Sequence, residues 1–132
     1  MSFVLNAFIW LVSLFHIMAA HGDVIKSDQG HWEIAFEKPI DKIGLHKITD
    51  VDFSLLPTDK TPVSDLKLRV EGGMPGHGHG FPTTPYIEEQ SAGLYTLKGV
   101  SFSMRGEWLL VIKVESDSQG SDQFTLPLYI RP

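Results

Sequence analysis

Short runs in which apolar and polar side chains alternate one for one constrain this chain more than any other feature of its sequence. A period of two sends successive side chains to opposite faces of an extended backbone, so each run covers a core on one side and meets water on the other. Leu66, Leu68 and Val70 alternate with Lys67, Arg69 and Glu71. Over residues 31–37, Trp32, Ile34 and Phe36 share a face, and over 107–115 Trp108, Leu110, Ile112 and Val114 do the same. Residues 46–56 alternate through Ile48, Val51, Phe53 and Leu55, with a slip near Thr49-Asp50 that suggests a β-bulge. Tyr86 to Glu89 is a short candidate, and 94–102 reads as one or two strands bent at Gly99. Phe124, Leu126, Leu128 and Ile130 form the last run, where Pro127 marks an edge strand. Turn signals at Asp28-Gln29-Gly30, Pro57 to Lys60, Ser91 to Gly93, Arg105-Gly106 and Asp117 to Gly120 separate the runs. About seven strands at this spacing predict an all-β fold, an antiparallel immunoglobulin-like β-sandwich.

An apolar run from Phe3 to Ala20 precedes the first charged side chain, Asp23. Residues 1–22 therefore read as a signal peptide or a helical membrane anchor, and 23–132 as the sandwich domain. Ala20 and Gly22 suit cleavage before Asp23, whereas the absence of Lys or Arg at the head leaves retention as an anchor open. Cleavage after Ala20 is a third option, and would make His21 an N-terminal residue whose amine and imidazole can chelate copper(II). In each case the domain is expected outside the cytoplasm, in a periplasm-like compartment, with membrane contact only through an uncleaved N-terminal segment.

The domain holds all 16 acidic and 11 basic side chains, for a formal charge of −5. An acidic balance without a Lys/Arg cluster argues against nucleic acid and against binding driven by anionic lipid. The chain has no cysteine, which excludes thiolate metal sites and thiol redox chemistry and leaves stability to the core. No nucleophile elbow, phosphate-binding glycine loop or poised carboxylate pair stands out, so the expectation is a protein that is not an enzyme.

Residues 72–85, Gly-Gly-Met-Pro-Gly-His-Gly-His-Gly-Phe-Pro-Thr-Thr-Pro, break the alternation. Five glycines and three prolines in 14 residues suit neither helix nor regular strand. The plain reading is a crossover between sheets with a type II turn at Pro75-Gly76. Glycine on both sides of each histidine also leaves the imidazoles open, and on an extended segment His77 and His79 face one way with Cα atoms about 7 Å apart. Met74 lies three residues before His77, and Met104 lies in a second turn, Ser103-Met-Arg-Gly106. Both methionines are placed in turns, not at alternating core positions. Thioethers with imidazoles form a soft-to-intermediate donor set suited to copper, above all copper(I). Each methionine alone would more ordinarily fill a gap beneath a loop. His31 and His46 read as exposed strand residues, Trp32 and Trp108 as core packing, and Glu88-Glu89 as a solvated acidic edge.

Met74-Pro-Gly-His-Gly-His-Gly80, then Gly93-Leu-Tyr95, then Phe102-Ser-Met-Arg-Gly-Glu-Trp108 resembles the YtkA-like family, related to small periplasmic domains of the FixH type. The resemblance spans about residues 30 to 131 and includes a Pro-Val step at 62–63. Arg105 stands where that pattern usually has proline, a change that bears on the second turn more than on its sulfur. The resemblance implies an exported immunoglobulin-like domain, in some relatives associated with copper handling or oxidase assembly. It carries Met74, His77, His79 and Met104 forward as candidate copper ligands. Two functions follow as expectations: copper binding or transfer in the cell envelope, or a metal-free module that docks onto a periplasmic or membrane protein partner.

Overall fold

The computed structural model describes residues 23–61, 63 and 65–132. The signal or anchor segment 1–22, with His21, lies outside the described residues. Eight strands form: β1 (Ile25–Lys26), β2 (Trp32–Phe36), β3 (Thr49–Pro57), β4 (Lys67–Gly73), β5 (Tyr86–Ser91), β6 (Leu94–Val100), β7 (Gly106–Ser116) and β8 (Gly120–Ile130). They build an antiparallel β-sandwich from a five-stranded sheet, ordered β1-β2-β3-β6-β5, and a three-stranded sheet, ordered β4-β7-β8. Among the described residues no helix is long and apolar enough to cross a membrane.

The inward faces are those that the alternation marks. Trp108, Leu110, Ile112 and Val114 of β7 meet Phe124, Leu126 and Ile130 of β8 and, across the interior, Trp32, Ile34, Val51, Phe53, Leu55 and Leu97. Each large apolar side chain so buried contributes about 1.5–3 kcal/mol relative to exposure, and this sheet-to-sheet layer is what stabilises a chain without disulfides. Leu68 and Val70 are only half-buried because β4 is an edge strand.

Three local readings are corrected. Ile48 is 72% exposed, since β3 begins one residue later and the preceding turn holds His46 at φ +60°. His46 is thus a turn residue, and His31 lies just before β2; both are exposed, but neither is in a strand. The bulge falls opposite its expected strand: between the pairs Thr49–Val100 and Val51–Leu97, β3 contributes Asp50 alone and β6 contributes Lys98 and Gly99. Gly99, at φ +70°, is the extra residue, and the Asp50 carboxylate accepts from its N–H at 2.9 Å and from Lys98 Nζ at 2.6 Å. That pairing pulls the Asp50 carboxyl below the usual carboxylate range, chiefly through Lys98.

Register assigns the loops to two ends. Residues 27–31, 57–60 and 116–120 lie at one end; 44–48, 74–80 and 100–106 lie at the other. At the first end the buried Asp122 carboxylate accepts from Ser27 Oγ (2.6 Å) and from the backbone N–H groups of Gln29 and Gln123. Asp28 in turn accepts from Thr125 Oγ1 and Thr125 N–H. These bonds lay the start of the domain along the free edge of β8. The backbone N–H of residue 125 points to that free edge, and so must that of residue 127, two positions on, where proline forfeits no ladder bond. This is the physical reason Pro127 is tolerated inside an 11-residue strand.

Candidate functional site

Residues 74–85 do connect the two sheets, passing from β4 to β5. The strand before them runs further than its composition implies, through Gly72 and Gly73. These glycines are obligatory: both have φ above +140°, and a Cβ would lie 1.9 Å from Leu109 O at Gly72 and 2.3 Å from His79 O at Gly73. The missing side chain of Gly73 lets the His79 segment fold back onto the end of β4, and that of Gly72 lets β4 approach Leu109 of β7. The chain then turns through a 3-10 turn, Pro75–His77, and a left-handed Gly78 at φ +66°, not through a type II turn. Met74 N–H donates to His79 O at 2.9 Å, while Met74 O accepts from His77 N–H (3.0 Å) and Gly78 N–H (3.1 Å).

The loop is therefore closed, not extended, yet the imidazoles stay together, with ring centroids 5.9 Å apart. A nitrogen bound to a metal at about 2 Å puts its ring centroid about 3 Å from the ion, so two rings on one ion sit at most about 6 Å apart. The observed separation lies within that reach, and both side chains are exposed. His79 Nδ1 lies 3.0 Å from Gly80 O. A proton on Nδ1 then donates to that carbonyl and leaves the lone pair on Nε2, the tautomer that a second hydrogen bond fixes in metal-ligating histidines.

Met74 departs from its expected place. It is 1% exposed and packs in the core, with its Cε 3.3 Å from where a Gly106 Cβ would be. Its side chain occupies space that glycine vacates in the second turn. Met74 also lines a groove of about 640 Å³ with His77, Glu107, Trp108, Pro127 and Tyr129. Met104, by contrast, is 41% exposed in its turn, and its carbonyl accepts from Trp108 Nε1 at 2.9 Å. The fold thus brings the two Met-bearing turns to one end, with the Met74 side chain reaching toward Gly106.

Among the described residues no three His, Asp or Glu side chains gather as a metal-binding group. No carboxylate or third imidazole among the described residues completes the His77–His79 pair, and the thioethers of Met74 and Met104 are the soft donors at this end. Glu88 and Glu89 are exposed on β5, in an edge strand. The residue missed in sequence as part of the site is Trp108. Its ring meets His79 edge-on at 5.8 Å, stacks on Phe81 at 5.8 Å and meets Phe102 at 5.1 Å. Its position four residues after Met104 is the only sequence hint of this role.

No curated protein matches the chain. A crystal structure of a DUF4426 family protein from Pseudomonas aeruginosa PAO1 shares the fold, with a TM-score of 0.53 at 15% identity over 83% of this chain and 97% of that one. The model of the YtkA-like family matches residues 26–113, from β1 through most of β7 and across both Met-bearing turns. On that match, the chain belongs to the YtkA-like family.

Proposed function

We propose that this protein is an exported, non-catalytic copper-binding protein that holds or passes on copper(I) in the cell envelope. His77 and His79 supply imidazole nitrogen, and Met74 and Met104 supply thioether sulfur. The observation that carries the reading is the pair of exposed imidazoles, 5.9 Å apart, on a closed loop anchored by the Met74 backbone. The His79–Gly80 contact, which leaves the lone pair on Nε2, adds to it. The chemistry copper would receive here is a soft N/S donor set, with the two imidazoles and Met104 at the surface and Met74 buried beneath the loop, and the exposed members suit ligand exchange with a partner.

The purified full chain should bind one equivalent of copper(I), measured by competition with a chromogenic chelator. His77→Ala/His79→Ala should abolish that binding without loss of fold, because both side chains are exposed. Stoichiometric binding that survives the double change would sink the assignment. The groove formed by Trp108, Pro127 and the 57% exposed Tyr129 favours a second reading, a metal-free docking module. On that reading copper(I) leaves the melting temperature unchanged and loop variants lose a partner instead.

A further inference from the structure

Trp108 is a buried side chain, 2% exposed, whose contacts reach both turns of the proposed site. Its single polar atom, Nε1–H, is satisfied by Met104 O at 2.9 Å. Its ring carries the His79 imidazole at 5.8 Å and borders the same groove as Met74 and His77. The ring itself is held between Phe81, stacked at 11°, and Phe102, at 75°. A buried indole clamped on two sides has little rotamer freedom, so whatever it touches inherits its position. We infer that Trp108 is a positioning residue that sets the distance between the Met104 turn and the histidine loop. The inference rests on the copper reading for its purpose but not for its geometry.

The mechanism is local. Arg105 and Gly106 follow Met104 in an exposed turn, and Gly106 adopts φ +122°. The indole bond is a cross-link from this turn to the aromatic layer. Without it the Met104 carbonyl is released to water and the turn samples more conformations, so the Met104 sulfur meets the loop less often. Phenylalanine at 108 keeps a ring but removes the N–H, and so separates the bond from the packing.

The test uses Trp108→Phe in the full chain. In metal-free protein, backbone order parameters from nitrogen relaxation over residues 103–106 should fall in Trp108→Phe, while His77→Ala/His79→Ala leaves them unchanged; unchanged order parameters in Trp108→Phe overturn the inference whether or not copper binds. With copper(I), Met104→Leu should weaken binding about tenfold in the otherwise unaltered protein and have no further effect on top of Trp108→Phe. Two fully additive losses would also overturn the inference. Should Trp108→Phe not fold, the unaltered protein supplies the reading through the two indoles buried among the described residues, Trp32 and Trp108. Trp32 Nε1, at the far end, has no hydrogen-bond partner among the described residues. The Trp108 indole proton should move on copper(I) addition and the Trp32 proton should not; an unmoved Trp108 resonance in protein that has bound copper overturns the inference. If the unaltered chain binds no copper at all, the copper reading fails and the metal-free relaxation experiment still decides the role of Trp108.

Discussion

At the scale of single residues, the loop geometry depends on atoms that are absent. Gly73 lets His79 O come within 2.3 Å of where a Cβ would sit, and that same carbonyl receives the Met74 N–H. Gly73→Ala therefore forces the His79 segment off β4 and strains the backbone at φ +147°. We expect a loss of at least about 3 kcal/mol in denaturant unfolding, because a backbone clash cannot relax as a flexible side chain does. Met74 tests whether packing and ligation can be separated. Met74→Leu conserves volume in the core and should cost less than about 1.5 kcal/mol, yet it removes the thioether. Copper(I) affinity should fall while the melting curve scarcely moves; equal affinity would remove Met74 from the ligand set. Its burial is the ordinary gap-filling role of a methionine beneath a loop, which its glycine and proline neighbours alone do not distinguish from an exposed turn position. The room that admits it is vacated by Gly106, 32 positions along the chain.

At the scale of elements, each end of the sandwich is secured differently. The site end is tied by an aromatic layer, and the other by a buried carboxylate. Burial acts to raise the Asp122 pKa, but bonds from Ser27, Gln123, Gln29 and His31 outweigh it and hold the group below its ordinary value. A folded-state pKa below the unfolded value of about 3.9 stabilises the fold above that pH, and this contribution is lost as pH falls through the folded pKa. Asp122→Ala should thus cost about 3 kcal/mol at neutral pH, as buried donors lose a charged acceptor. The gap between variant and unaltered protein should narrow as pH falls below 4 in acid titrations followed by circular dichroism; a gap constant down to pH 2 would contradict the linkage. The strands themselves were largely legible, because the period of two specifies which side chains face inward. The bulge was not assignable to a strand in the same way. A slip in one strand and an extra residue in its neighbour disturb the alternation alike, and only pairing shows that Gly99 is the extra residue.

At the scale of the whole molecule, copper should act as a ligand of the folded state. Binding at a concentration 100 times its Kd raises stability by about 2.7 kcal/mol, so calorimetry should show a higher melting temperature with copper(I) that His77→Ala/His79→Ala removes. Alternation, turn residues and the absence of cysteine are local properties. From them follow the all-β class, the inward faces of β2, β3, β7 and β8, the crossover nature of residues 74–85 and the edge position of β8. Strand order and register are not local, because they depend on which edges meet once the sheets pack. The pairing of β4 with β7 brings Gly73 beside Leu109 and closes the histidine loop near the second turn. The same packing buries Met74, leaves Met104 at the surface and sets Trp108 between them. The break in periodicity at residues 72–85 therefore marks the loop that can form the site, while the sheet pairing places it beside the second turn, since contacts between residues some 30 positions apart exist only in the folded chain.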